Sequence, residues 1–212
     1  LKDRFADTVK AVQKSKADYV TWLGEQVRAL AARKDLVALK ALRDGLPPAW
    51  LNTPQEQEIA KAVRDVEAER AASVNAVATQ AGKLLVAWNF TGLGELVRTQ
   101  RKGLEGTPAA VKVDSYAEAA KKLSDLAGLI GTRVEAVQKV RYHGVLAGFT
   151  DPDIVGANLE NGLELKEIAG GAVYLRWNKL TAKDLQAVAT LILKADAVPF
   201  QGAIGVLESA GK

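Results

Sequence analysis

The chain of 212 residues contains no cysteine and no methionine, and its single histidine is His143. Without thiols there are no disulfides, no thiolate nucleophile and no Cys-ligated metal. With one imidazole, His clusters for transition metals are excluded too. Absence of Met extends to position 1, so the sequence is expected to be a processed protein or a piece of a longer one. Aromatic residues are sparse at 6%. Uninterrupted apolar runs are short, the longest candidates being 84–88 and 187–193, well below the ~18 residues of a bilayer span. No signal-peptide pattern is visible, and no membrane span is expected.

What is present is the composition of a folded protein: 48% hydrophobic and 25% charged. The net charge of +4 is local. Residues 1–46 hold ten Lys/Arg against six Asp/Glu, and the rest is balanced. Along the first helix Asp3, Asp7, Lys10, Lys14 and Asp18 alternate in sign, the pattern of a solvated face. A polyanion-binding stripe is the competing reading, and would use Lys10, Lys14, Lys16, Arg28, Arg33 and Lys34.

Sliding the chain on itself by 54 positions reveals a repeat. Phe5, Val9, Val12, Val20, Leu23, Val27 and Leu30 fall on Ile59, Val63, Val66, Val74, Val77, Ala81 and Leu84, at the spacing of one face of a long helix. Lys16 and Arg70 interrupt that face at matching places. Asp35 falls on Asn89, both N-cap residues, and Leu36, Leu39 and Leu42 fall on Phe90, Leu93 and Leu96. Between 3–44 and 57–98 there are nine identities. Each unit is therefore expected to be a long helix, a tight break and a short helix. Pro47 and Pro48 end the first, and Thr53-Pro54-Gln55-Glu56 opens the second as a capping box.

Residues 101–114, rich in Gly, Pro and small side chains, are expected to be a linker. A second capping box at Ser115–Glu118 is expected to start a helix that pauses near Gly131. From His143 to Trp177 the pattern turns strand-like, with "LELKEI" and "AVYLRW" forming a β-hairpin around "AGG". Thr181 and Pro199 open two last helices. The expected fold is mainly α: two hairpin units (3–46 and 57–104) in a four-helix-bundle-like domain 1–106, then a smaller α+β domain 107–212.

No catalytic constellation emerges. His143 has no G-x-S-x-G motif near it, and the serines at 15, 73, 115, 124 and 209 lie in or cap helices. "TDPDIVGANLEN" has Asp151 and Asp153 at calcium-loop spacing, yet Val155 and Gly162 stand where oxygen ligands belong, so an Asp-Pro turn is expected. "GVLESAGK" has the wrong spacing for a phosphate loop. Glu67/Glu69 point to divergent helix faces. The four Trp are expected to pack, while Tyr174 and Arg176, two apart on a strand, offer a trace of a stacking surface.

The stretches "YVTWLGEQVRALAARKDLVALKAL" and "VYLRWNKLTAKDLQAVATLI" resemble helical-hairpin segments of uncharacterised planctomycete-type bacterial proteins. In the second unit the pattern departs, with Ser73 at the place of Tyr19. The resemblance implies an often exported bacterial protein, in the periplasm or at the cell surface in preference to the cytoplasm, and no catalytic residue to carry over. The expectation is a non-enzymatic scaffold or interaction protein, without cofactor or metal, that binds protein partners or itself. Binding of nucleic acid or another polyanion is the alternative.

Overall fold

A computed structural model describes residues 2–166 and 171–211, with side chains from residue 8 onward. The fold is mainly α-helical hairpins, followed by a sheet region and terminal helices. The helices are α1 (Lys2–Ala32), α2 (Leu36–Asp44), α3 (Pro54–Val86), α4 (Phe90–Leu104) and α5 (Pro108–Val137), with α6 (Ala182–Leu193) and α7 (Gln201–Ala210) at the end. Between them lie β1 (Val140–Arg141), β2 (Val145–Leu146), β3 (Phe149–Thr150), β4 (Asp153–Asn158), β5 (Gly162–Lys166) and β6 (Ala172–Leu175). Phe5, Asp3 and Asp7, named above, have side chains outside the described residues, and Glu167, Ile168, Ala169 and Gly170 of the expected hairpin lie outside them altogether.

The 54-residue repeat is carried into the backbone. At the end of α1, Lys34 takes φ 56°; at the end of α3, Trp88 takes φ 57°. In both places the next amide reaches back five residues, Asp35 N to Leu30 O at 3.0 Å and Asn89 N to Leu84 O at 2.9 Å. The left-handed residue itself donates three residues back, Lys34 to Ala31 and Trp88 to Leu85, each at 3.0 Å. This is a Schellman stop. The following Asp35 and Asn89 carboxyl or amide oxygens then accept from Ala38 N and Gly92 N, starting the short helices. Left-handed conformation costs a non-glycine residue about 1–2 kcal/mol. Each of the two also has an anchored side chain: Lys34 pairs with Glu69, and Trp88 stacks on Trp177 at 5.1 Å.

The repeat also reaches further than two units. Thr53-Pro54 recurs as Thr107-Pro108, again 54 positions on. Thr53 Oγ1 donates to Trp50 O, and Thr107 Oγ1 to Leu104 O, both at 2.6 Å. The amides of Glu56 and Ala110 donate to those same hydroxyls. Thus α5 is a third long helix of the same kind. It starts at Pro108, not at Ser115, which sits inside it, and it runs past Gly131 without a pause. Correspondingly, the stretch 101–114 is helix, a short break and helix again. At Thr53 only half of the expected box forms, because the Thr53 amide is taken by Trp50 O. The short helices differ in length for a covalent reason. Gly45 caps α2, and Pro47 and Pro48 force the chain into a 3₁₀ turn at Pro48–Trp50. At the equivalent positions α4 has no proline and continues to Leu104.

By packing, the chain divides into two compact units, Leu1–Ser73 and Val74–Lys212. The division falls inside α3, well ahead of the 106/107 boundary expected from composition. In the first unit, Leu23 and Val27 of α1, Leu39 of α2, Leu46, and Ile59, Val63 and Val66 of α3 form the core. In the second, Ala78, Ala81 and Leu85 of α3 join Leu93 and Leu104 of α4 and a long stripe of α5, from Ala109 to Val134. Both cores follow one plan: the C-terminal half of one long helix, its short helix, and the N-terminal half of the next.

The second unit adds a four-stranded antiparallel sheet in the order β1-β4-β5-β6 and a two-stranded ribbon β2-β3. The expected hairpin is β5 with β6, Leu163 opposite Leu175 and Lys166 opposite Ala172. Strand β4 packs on α5. Their approach is close enough that a Cβ at Gly131 would overlap the Ala157 carbonyl oxygen. Thr181 opens α6 with a complete capping box to Asp184. Taken as a whole, Ala182–Ala210 is long and apolar enough in composition to cross a bilayer. Here it is α6, a 3₁₀ stretch containing Pro199, and α7, with Leu185, Val188, Leu193, Phe200, Ile204 and Leu207 buried in the core shared with α5.

Candidate interaction surface

Unit Leu1–Ser73 carries an open groove of about 630 Å³. One wall is the middle of α1, with Val12, Lys16 and Tyr19; the other is the proline turn, with Pro47 and Trp50. The two prolines present Trp50 to α1, where its ring meets Tyr19 edge-on at 5.2 Å. Tyr19 in turn lies 5.6 Å from Trp22, which is 46% exposed. Above Trp50, at 5.8 Å, stands the Lys16 ammonium, a cation–π contact. Three aromatic rings and a cation are thereby gathered on one small unit. Sequence reasoning assigned these Trp to packing; the signal available was a Trp directly after a proline pair, but Tyr19 and Trp50 are too far apart in the chain to be paired by spacing.

The six basic candidates do not act as one stripe. Lys34 is engaged by Glu69, Arg28 Nε donates to Gly24 O of its own helix at 3.1 Å, and Lys16 covers Trp50. Lys10, Lys14 and Arg33 are exposed and have no ion pair among the described residues. Nearby Lys40 pairs with Glu67 at 2.6 Å. Those carboxylates are therefore spent on holding α2 and the α1 stop against α3.

In the second unit, Tyr174 is 52% exposed on β6, an edge strand, and its hydroxyl lies 3.4 Å from Glu164 Oε2 across the hairpin. Arg176 is exposed but lies beyond the end of β6, so the two do not share a strand as expected. Trp177 is buried, its indole N–H donating to Asn158 O at 2.8 Å.

His143 is exposed in the β1–β2 connection. Asp151 closes that loop, its carboxylate accepting from Gly144 N at 2.6 Å while its own amide donates to Gly144 O. Asp153 receives a two-pronged guanidinium from Arg141, with Lys139 at 3.5 Å. Both Asp side chains thus build the turn into β4. No group of three His, Cys, Asp or Glu able to hold a metal is found among the described residues. The Arg141 hydrogen bond, with the charges of Arg141 and Lys139, holds the Asp153 carboxyl below its ordinary value of 3.8, against the opposing effect of burial. A depressed carboxyl stabilises the fold fully above its ordinary value and loses that contribution as pH falls through the lower folded value. Accordingly, Asp153→Asn should lower stability at neutral pH and flatten the acid limb of a denaturation curve below pH 3.8. An unchanged acid limb would mean the pair contributes nothing. No protein-family model, curated protein or solved structure matches the chain.

Proposed function

We propose that the chain is a non-enzymatic interaction module that presents helical surface to a protein partner. The observation that carries this reading is the groove of Leu1–Ser73. Tyr, Trp and Arg side chains over an apolar floor dominate binding hot spots. Here Tyr19 and Trp50 line an open concavity with Val12, and the half-exposed Trp22 lies against Tyr19 at its margin. Two further points agree. The charged pairs of the same unit, Lys34 with Glu69 and Lys40 with Glu67, set the hairpin's geometry. The repeat plan itself yields long, capped helices whose ends need no ligand to satisfy them.

A photo-reactive residue in place of Trp22 should trap discrete protein adducts in the native host, and Trp50→Ala should reduce that trapping several-fold. The same residue at exposed Arg98 serves as the control. No adduct at 22, or equal adducts at both, would sink the reading. Light scattering on the same samples separates self-association, which steps in multiples of 22.6 kDa, from a different partner.

Polyanion binding retains one supporting observation, the exposed Lys10, Lys14 and Arg33, which have no ion pair among the described residues. With three cations in place of six, log affinity should fall with log salt at a slope of roughly −2 to −3 at most. A steeper slope would restore the full stripe.

A further inference from the structure

Among the described residues the N-terminal half of α1 has an exposed apolar face, and the repeat specifies what belongs on it. In α3, Ile59, Val63 and Val66 are buried against the preceding long helix and short helix, with Val63 and Val66 only 3% and 7% exposed. In α5 the equivalents of Ile59 and Val66, Val113 and Ala120, are buried in the core that contains Ala81, Leu85 and Leu93, and Ala117, the equivalent of Val63, is half-buried. In α1 the equivalents of Val63 and Val66 are Val9 and Val12, which are 38% and 63% exposed, while Phe5, the equivalent of Ile59, has its side chain outside the described residues. They lie on the same helical face as Leu23 and Val27, at multiples of three and four residues. Two of three copies thus show the occupant of this face directly: the C-terminal half of a long helix plus a short helix.

We infer that Val9 and Val12 form the docking face for a helical hairpin of this same kind, carried by a partner protein. Its contact residues are aliphatic, at the spacing of Leu23, Val27 and Leu39. This rests on the reading of the chain as an interaction module and names the chemistry of its partner. A second copy of the chain is a poor occupant. Both of its hairpins are already covered, one by Ile59 and Val63, the other by Val113 and Ala120. The partner must offer a hairpin whose own face is free.

Because the face is small, a tethered stand-in tests it best: effective concentration replaces affinity. A copy of residues 1–54 is fused ahead of Leu1. The copied Thr53-Pro54 then precede Leu1 as they precede Gln55, and Val9 and Val12 of the original chain take the register of Val63 and Val66. Amide exchange of original residues 9–18 should slow at least tenfold in the fusion. Val12→Asp at the original position should abolish that slowing, yet leave exchange of the unfused chain unchanged. Unaltered exchange in the fusion would overturn the inference. So would protection of 9–18 in the unfused chain that grows with concentration alongside a dimer mass, since a second copy would then be the occupant. Neither result bears on trapping at position 22, which tests the broader reading separately.

Discussion

Leu39→Ala should strip amide protection from Leu1–Ser73 and leave Val74–Lys212 protected, whereas Leu93→Ala should weaken only the second unit. The two leucines are equivalents, 54 positions apart, each the buried anchor of a short helix. Truncating a buried leucine costs about 2–5 kcal/mol, depending on how far the surroundings collapse. The outcomes differ because the cores differ. Leu39 belongs to a cluster of seven buried residues among those described, but Leu93 joins a core that also takes in α5, the sheet, α6 and α7. A unit of some seventy residues has only a few kcal/mol in hand. The same truncation is therefore expected to unfold the first unit and merely loosen the second. Hydrogen exchange followed by residue gives the answer in one experiment. If Leu39→Ala lowers protection equally across the chain, the two cores are one cooperative unit and the plan derived from the repeat is wrong.

That plan was half legible in the sequence. The face repeating at three, four and seven residues, and the Asp35 and Asn89 caps, follow from side chains whose spacing alone decides them. The Schellman stops were not legible, because Lys34 and Trp88 are residues for which φ above zero is uncommon. Where the cores divide was hidden for a different reason. A helix of 33 residues is about 50 Å long, more than one small core spans, so its halves serve different clusters. Hydrophobic spacing is the same in both halves and does not mark the change. The start of α5 was misplaced because Ser115–Glu118 carries the letters of a capping box. Thr107-Pro108 outcompetes it, since proline at the first helical position fixes φ and the threonine hydroxyl satisfies an amide there. For the groove, composition pointed to the basic residues. The structure instead brings together aromatics that a proline turn folds back onto α1, a long-range event with no periodic signature.

Gly162→Ala should be the most damaging single methyl group in the chain. Gly162 opens β5 at φ 101°, a conformation that L-residues rarely adopt. A Cβ there would overlap the Leu175 carbonyl oxygen and lie 2.7 Å from the Arg176 Cα. Backbone cannot swing aside as a flexible side chain can, so β6 would have to move off β5. The consequences run inward. Asn158, paired with Gly162 across the β4–β5 turn, accepts the Trp177 indole N–H on its carbonyl, and Trp177 stacks on Trp88 with an interplanar angle of 16°. Trp88 holds the left-handed position that ends α3. The strained φ and the overlap together should cost at least about 3 kcal/mol, adding a left-handed penalty to overpacking. Near-UV circular dichroism should lose the Trp88–Trp177 signal along with the stability. Gly94→Ala is the matched control: nothing lies within 4 Å of its Cβ position on α4, so it should stabilise by about 0.5–1 kcal/mol through helix propensity. Equal effects at 94 and 162 would show that β6 does not lie against the start of β5, and with it would go the geometry that buries Trp177.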